Sequence, residues 1–353
     1  MNIHFVYPCR PNLTFLSKVK GRTIKKIQNL GLPISYVGKR NEVITDNWDF
    51  SAPTSITHHM YKALKKNFPN TFLYDWEEKL LIKGGSEDIL IGHPFPGDNS
   101  RVWNNSCLKG EFAARIAFTP IHHRMAEFCQ KYEQFIPHVD AIFGITGPFW
   151  WDTWHESVFA HWKSKILPID MAVNTDYYPF LKRKFNPQGK RKFLFIGNGE
   201  AYKGVHLISI LFGLSSHHEC VWIGADRKIP NIDCRPFTAL TSNFIKKMAE
   251  ECDFFITMGV SDANPTTILE AMAWGFPVCC TPQSGYYNMP QIYSLSIDDM
   301  KHNLNILNKL QAMSDQELIE NAIAARELVS NFYTWERFTS NVIQGIQNVI
   351  QKM

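Results

Sequence analysis

The sequence predicts an α/β protein made of two domains, each built on a parallel sheet. Short apolar runs alternate with stretches of helical spacing, the pattern of repeated βαβ units. The chain has 353 residues, enough for two domains of ordinary size. A segment from Tyr177 to Arg191, carrying Pro179, Pro187 and Gly189, divides two halves of similar pattern and is expected as a linker or hinge.

The C-terminal half is the more regular. Lys192–Ile196 reads as a strand ending at Gly197, Gly204–Leu214 as a helix, and Val221–Gly224 as a strand. Asn243–Cys252 is a helix and Asp253–Met258 a buried strand. The next helix is expected to take Asn264 as N-cap, Pro265 at its first position, and to run to Trp274. Gly275 and Pro277 stop it, and Val278–Cys280 begins another strand. In the N-terminal half Ile3–Val6, Ile34–Val37, Asp88–Ile91, Ile116–Phe118 and Ala141–Phe143 read as strands. Near the end, Ser314 and Thr334 are placed to cap two helices.

Composition narrows the classes. Apolar residues make up 45% and charged residues 20%, as in water-soluble globular proteins. The net charge of +4 gives no reason to expect nucleic acid or membrane binding. No stretch approaches the ~18 apolar residues of a membrane span, and Met1 leads straight into a strand-like run, so no secretory signal is expected. The eight cysteines lack C-x-x-C spacing and suit reduced thiols of a cytosolic protein better than disulfides or zinc ligands.

The stretch Ser261-Asp262-Ala263-Asn264-Pro265-Thr266-Thr267-Ile268-Leu269-Glu270 carries the chemistry. A helix start offers free N–H groups and partial positive charge, which suit a phosphate. Glu270 lies about 6 Å further along the axis, where a carboxylate can take both hydroxyls of a ribose attached to that phosphate. Asp262, ahead of the helix, can reach a polar group beyond the phosphates. The plain alternative is an ordinary capped helix with Glu270 exposed. A second element, Gly197-Asn198-Gly199-Glu200-Ala201-Tyr202-Lys203-Gly204, joins a strand to a helix. Tyr202 replaces the third glycine of the dinucleotide fingerprint, and Lys-Gly-Val is not the Gly-Lys-Ser/Thr of a P-loop. Lys203 remains as a cation to neutralise a diphosphate, with solvated surface as its alternative.

On these residues the chain resembles the retaining, nucleotide-sugar-dependent glycosyltransferases of family 4. Leu167–Pro179 resembles that family's interdomain segment, which usually ends in Phe and Pro. Gly197 to Gly204 is similar to its Gly-Arg…Lys-Gly loop, and Asp262 and Glu270 match the spacing of its paired glutamates. Tyr333-Thr334-Trp335-Glu336 resembles the start of its last helix. The resemblance spans roughly residues 165–340 and implies the GT-B fold, two Rossmann-like domains facing across a cleft. It implies an N-terminal acceptor-binding domain, 1–176, and a C-terminal nucleotide-sugar domain, 190–335, with the last helix, 336–353, packing back on the first.

The resemblance also implies roles. Glu270 binds the donor ribose; Lys203, Thr266 and Thr267 hold the diphosphate, with Gly197, Asn198 and Asn264 beside them. Asp262 contacts the transferred sugar. In the loop before the helix starting near Thr241, Arg235 or Phe237 stacks on the base, with a loop aromatic packed on the core as the alternative. His122 lies near the reacting sugar, with His93 and His123 on the acceptor side; a structural histidine is the alternative for each. Two departures stand out: Asp262 replaces a glutamate, and Asn198 replaces the loop arginine, a loss that Arg10, Lys18, Lys20 or Arg22 would have to make good. The aromatic cluster Phe149-Trp150-Trp151…Trp154 is expected to pack rather than to stack on an acceptor.

The expected function is transfer of a sugar from a nucleotide-diphosphate sugar to a hydroxyl acceptor, a glycan, lipid-linked or small molecule, with retention. No cofactor and no metal is expected, and no nucleic-acid partner. A cytoplasmic protein is expected, with the basic segment Lys18, Lys20, Arg22, Lys25 and Lys26 as a candidate peripheral membrane contact. The alternatives are a non-catalytic nucleotide-sugar-binding scaffold subunit and a GT-B-fold epimerase or hydrolase.

Overall fold

The computed structural model describes residues 1–8, 56–76, 80–94, 101–215, 217–238 and 240–352. The expected strand Ile34–Val37 and the basic residues Arg10, Lys18, Lys20, Arg22, Lys25 and Lys26 lie outside the described residues. The chain divides into two compact units, residues 1–119, 127–143 and 343–353, and residues 120–126 and 144–342. Among the described residues no helix is long and apolar enough to cross a membrane.

One sheet contains β1 (Ile3–Tyr7), β2 (Thr71–Asp75), β3 (Ile89–Gly92), β4 (Ala114–Pro120), β5 (Ala141–Ile145) and β6 (Ile166–Ile169), in the order β2-β1-β3-β4-β5-β6. β1 pairs in parallel with β2 and β3, and β3 with β4. All of β1 is buried, which explains its unbroken apolar run: helices cover both faces of such sheets. Pro168 falls in β6, at the end of the order, where its missing N–H costs no ladder bond.

The second sheet contains β7 (Lys192–Ile196), β8 (Glu219–Ile223), β9 (Asp233–Arg235), β10 (Phe254–Thr257), β11 (Val278–Cys280) and β12 (Ile292–Ser294), in the order β12-β11-β10-β7-β8-β9. Every neighbouring pair is parallel. Its core includes Phe193, Trp222, Phe254, Ile256, Ile208 and Leu310. The chain enters at β7, builds outward to β9, and returns to β7's other side with β10. The order therefore reverses between β7 and β10, and ligands of such sheets bind at the carboxyl ends of the strands flanking that reversal.

Residues 177–191 do not form a free linker. Lys182 is buried, and its ammonium donates to Asp253 Oδ1 at 2.9 Å and to the Ala249 carbonyl at 2.8 Å. Asp253 also accepts from the backbone N–H groups of Asn186 at 2.8 Å and Lys192 at 3.0 Å. Arg191, equally buried, donates to the carbonyls of Asn186, Leu310 and Met313 and to the Asp315 carboxylate. Burial pulls the Lys182 pKa down and the Asp253 carboxylate opposes that pull. Two basic residues, Lys182 and Arg191, thus fasten the segment expected as a hinge to the second unit.

The caps expected at Ser314 and Thr334 are present. Ser314 and Glu317 form a reciprocal capping box, and Thr334 Oγ1 accepts from the Arg337 N–H at 3.2 Å. The cap expected at Asn264 is not. The helix runs from Thr266 to Trp274, Pro265 precedes it, and no side chain caps its start.

The loop after β7 is fixed by a close backbone approach. Gly204 has φ +68°, and a Cβ there would lie 1.8 Å from the Met258 carbonyl oxygen just beyond β10. Two residues away on each chain, the Val260 N–H donates to the Tyr202 carbonyl at 2.9 Å. Gly204→Ala therefore meets both a left-handed backbone and a clash, and is expected to destabilise by about 2–4 kcal/mol. Thermal unfolding checks this; a melting temperature unchanged from the native protein would contradict the close approach.

Candidate functional site

The second unit brings Lys203, Asp262, Thr266, Thr267 and Glu270 to the switch point of its sheet. Lys203 ends the loop after β7 and Asp262 lies in the loop after β10. Their side chains form an ion pair, both about four-fifths buried. Asp262 is held by its backbone on two sides: its N–H donates to the Gln283 carbonyl at 3.0 Å, and its own carbonyl accepts from the Trp150 indole at 2.6 Å. The next carbonyl, of Ala263, accepts from the Gly147 N–H at 2.9 Å. Gly147 packs so closely on Gly285 that a Cβ would lie 2.2 Å from its carbonyl oxygen.

The helix Thr266–Trp274 starts four residues after Asp262. With no side-chain cap, its first-turn N–H groups are available to an anion. Thr266 and Thr267 are half-buried there. Asn264 is not a cap because its Oδ1 accepts from the Tyr286 hydroxyl. Its buried Nδ2 has no hydrogen-bond partner among the described residues, and neither has the buried Thr146 Oγ1. A buried polar group without a partner is costly, so both atoms are disposed to take a ligand hydroxyl.

Glu270 is buried rather than exposed, with 8% of its surface accessible. Its Oε1 accepts from the Tyr178 hydroxyl at 3.1 Å. Burial raises its pKa, and hydrogen bonds from Tyr178 and Thr266 work the other way. At the far end of the helix, Arg326 donates to the carbonyls of Tyr178, Ala273 and Thr175. A cation there satisfies the terminal carbonyls and opposes the helix dipole. Arg326 thus fastens the Tyr178 segment to the helix that carries Glu270.

The glycine loop is shaped by its neighbours. The Gly197 carbonyl accepts from the Trp222 indole at 2.8 Å, and its N–H donates to the Ile223 carbonyl at 3.0 Å. Asn198 is exposed, with its Oδ1 3.4 Å from the Glu200 N–H. Arg227, from the loop after β8, donates to the Gly199 carbonyl at 2.7 Å.

Three expectations change. Arg235 is not a free base-stacking group: it belongs to β9, donates to both oxygens of Glu251 at 2.8 and 2.5 Å, and pairs with Asp233. Phe237, 77% exposed, is left as the aromatic open to a base. His122 is fully buried with one ring face on Trp150, centroids 4.1 Å apart, and its Nε2 lies 3.4 Å from the Ser261 hydroxyl. Burial lowers its pKa to about 3, so the ring is neutral. It supports the loop that carries Asp262 rather than facing a sugar. His123 Nε2 lies 2.9 Å from the Thr153 hydroxyl, with its ring against the edges of Trp150 and Trp154. His93 lies after β3, stacked with Tyr7 at 5.8 Å, and burial lowers its pKa to about 3. Trp150 and Trp154 are fully buried, the packing role expected of them.

Tyr178, Trp150 and Tyr286 are the site-shaping residues that sequence reading passed over. Tyr178 had a signal, since it stands where the resembled segment usually has Phe and so adds a hydroxyl. Trp150 and Tyr286 act over long separations and had none.

No family model matches the sequence, and no curated protein matches it. Solved structures match in fold. TarM of S. aureus aligns at 14% identity over 77% of this chain and 56% of that chain, with a TM-score of 0.56, so the chain spans a little over half of TarM. A UDP-forming α,α-trehalose-phosphate synthase from Burkholderia xenovorans aligns at 12% identity over 99% and 100% of the two chains, with a TM-score of 0.63. HepE of Anabaena, solved with UDP and glucose, aligns at 11% identity over 81% and 88%, with a TM-score of 0.55. At such identities the shared property is architecture: the chain is an α/β protein with the two parallel sheets of the GT-B fold.

Proposed function

We propose that the protein is a glycosyltransferase that moves a sugar from a nucleotide-diphosphate sugar to a hydroxyl acceptor with retention of anomeric configuration. The observation that carries this reading is the arrangement at the switch point: Lys203 paired with Asp262 in the loop that leads into an uncapped helix start, with Glu270 one turn further along that helix. The diphosphate lies on the first-turn N–H groups, the Thr267 hydroxyl and Lys203, and the Thr266 hydroxyl reaches it on turning away from Glu270. The ribose hydroxyls meet Glu270, held in place by Tyr178. UDP is the first candidate nucleotide, because similar structures were solved with it.

In the reaction the bond from the anomeric carbon to the diphosphate oxygen breaks, leaving positive charge on the sugar. Lys203 and the helix start stabilise the negative charge that collects on the leaving oxygen. The acceptor oxygen bonds to the anomeric carbon on the same face, and its proton passes to the departing phosphate. Asp262 orients the sugar, and the buried Asn264 Nδ2 and Thr146 Oγ1, unpartnered among the described residues, are candidates for its hydroxyls. The scheme requires no protein nucleophile and no metal. His122 enters it as a positioning residue, through Ser261 and Trp150.

Two sets of measurements test the assignment. In a thermal-shift panel of UDP, GDP, ADP and CMP, one nucleotide should raise the melting temperature by mass action. Lys203→Ala and Glu270→Ala should each weaken its binding about ten- to hundredfold, the worth of a hydrogen bond to a charged group. Unchanged affinity in both variants would remove the site. Binding without product on any acceptor would favour a non-catalytic subunit. Glu270 also carries a stability prediction. Its raised pKa means that folding disfavours the charged form, a cost complete above the folded-state pKa and relieved as pH falls through it toward the ordinary carboxyl value. Glu270→Gln should therefore melt higher than the native protein at pH 7, with the gap closing on acidification. A lower melting temperature at pH 7 would contradict this.

A further inference from the structure

We propose that the Lys203–Asp262 ion pair is a lock on the diphosphate subsite that disfavours the spent nucleoside diphosphate relative to the intact donor. This inference rests on the glycosyltransferase reading and extends it to product release.

The pair occupies the cation that a diphosphate needs. Its backbone supports do not yield easily. Asp262 is held at its N–H by Gln283 and at its carbonyl by Trp150, and the next residue by Gly147. On the other side, the Lys203 N–H donates to the Glu200 carbonyl at 3.0 Å, and Gly204 is pressed against Met258. Rearrangement therefore falls to the side chains: four rotatable bonds of lysine and a short aspartate stem. When Lys203 turns to a diphosphate, the Asp262 carboxylate stays close by, a like charge beside it. Both side chains are about four-fifths buried, so solvent screens this repulsion only in part.

What happens next differs between donor and product. With the intact donor, the sugar lies between the terminal phosphate and Asp262, and its hydroxyls donate to the carboxylate. After transfer the sugar is gone. The carboxylate then faces the terminal phosphate with no donor between them, while still competing for Lys203. The product complex bears a penalty that the donor complex escapes, and product leaves the faster. The departure from the paired-glutamate pattern fits this: aspartate, one methylene shorter than glutamate, reaches Lys203.

Isothermal titration of UDP, inorganic pyrophosphate and UMP into the native protein and Asp262→Asn tests the lock. Asp262→Asn should bind UDP and pyrophosphate about fivefold more tightly, equivalent to ~1 kcal/mol for a partly exposed pair. UMP, which lacks the terminal phosphate, should change by less than about twofold on the same scale. Asp262→Ser carries the same expectation should Asp262→Asn fold poorly, as judged by melting. UDP binding by the native protein with no tightening in the folded variants overturns the lock and leaves the functional reading standing. Equal tightening of UMP overturns it as well, since only overall charge would then be at work. Absence of nucleotide binding by folded native protein and variants alike overturns the functional reading itself, and the lock with it.

Discussion

Where the β7 loop meets the end of β10, the Gly204 backbone approaches the Met258 carbonyl too closely for any side chain. That contact decides where Lys203 can be. The residue before Gly204 is carried to the mouth of the second loop, where Asp262 waits as its partner. The neighbouring strands β7 and β10 put the two loops side by side, but only a glycine lets them touch. The sheet order supplies the switch point, the glycine closes it, and the ion pair follows from both.

In the proposed function the groups around that point serve binding at some expense to stability. Glu270 is a carboxylate kept in a buried place where its charge is disfavoured. Asn264 and Thr146 keep buried polar atoms without partners among the described residues. By contrast, two buried cations with no place in the proposed chemistry are well matched: Lys182 with Asp253, and Arg191 with Asp315 and four carbonyls. Other buried polar atoms without a partner among the described residues, such as Trp103 Nε1 and Asn321 Oδ1, belong to other helices, so it is the buried charge of Glu270 that sets the site apart.

Much of this was legible in local spacing. The strands around Phe193, Val221 and Phe254 announced themselves as apolar runs, and the separation of four positions between Thr266 and Glu270 set a fixed distance along a helix. Three-residue edge strands such as β9 and β12 carry no period to read, so Arg235 passed for a loop residue. Contacts between distant residues were also hidden: Tyr178 and Glu270 are 92 positions apart, and Trp150 and Asp262 are 112. Lys203 and Asp262 could each be singled out, but not that they neutralise one another across 59 positions. His122 was read as a sugar contact because its exposure, unlike its identity, depends on Trp150 covering it.

The central claim is that Lys203 and the helix start form one diphosphate subsite, and a crystal structure with UDP tests it most directly. The account predicts the terminal phosphate within about 2.7–3.2 Å of Lys203 Nζ and of first-turn N–H groups, the ribose on Glu270, and Asp262 released from Lys203. UDP bound elsewhere on the protein, or bound with the Lys203–Asp262 pair intact, would contradict it.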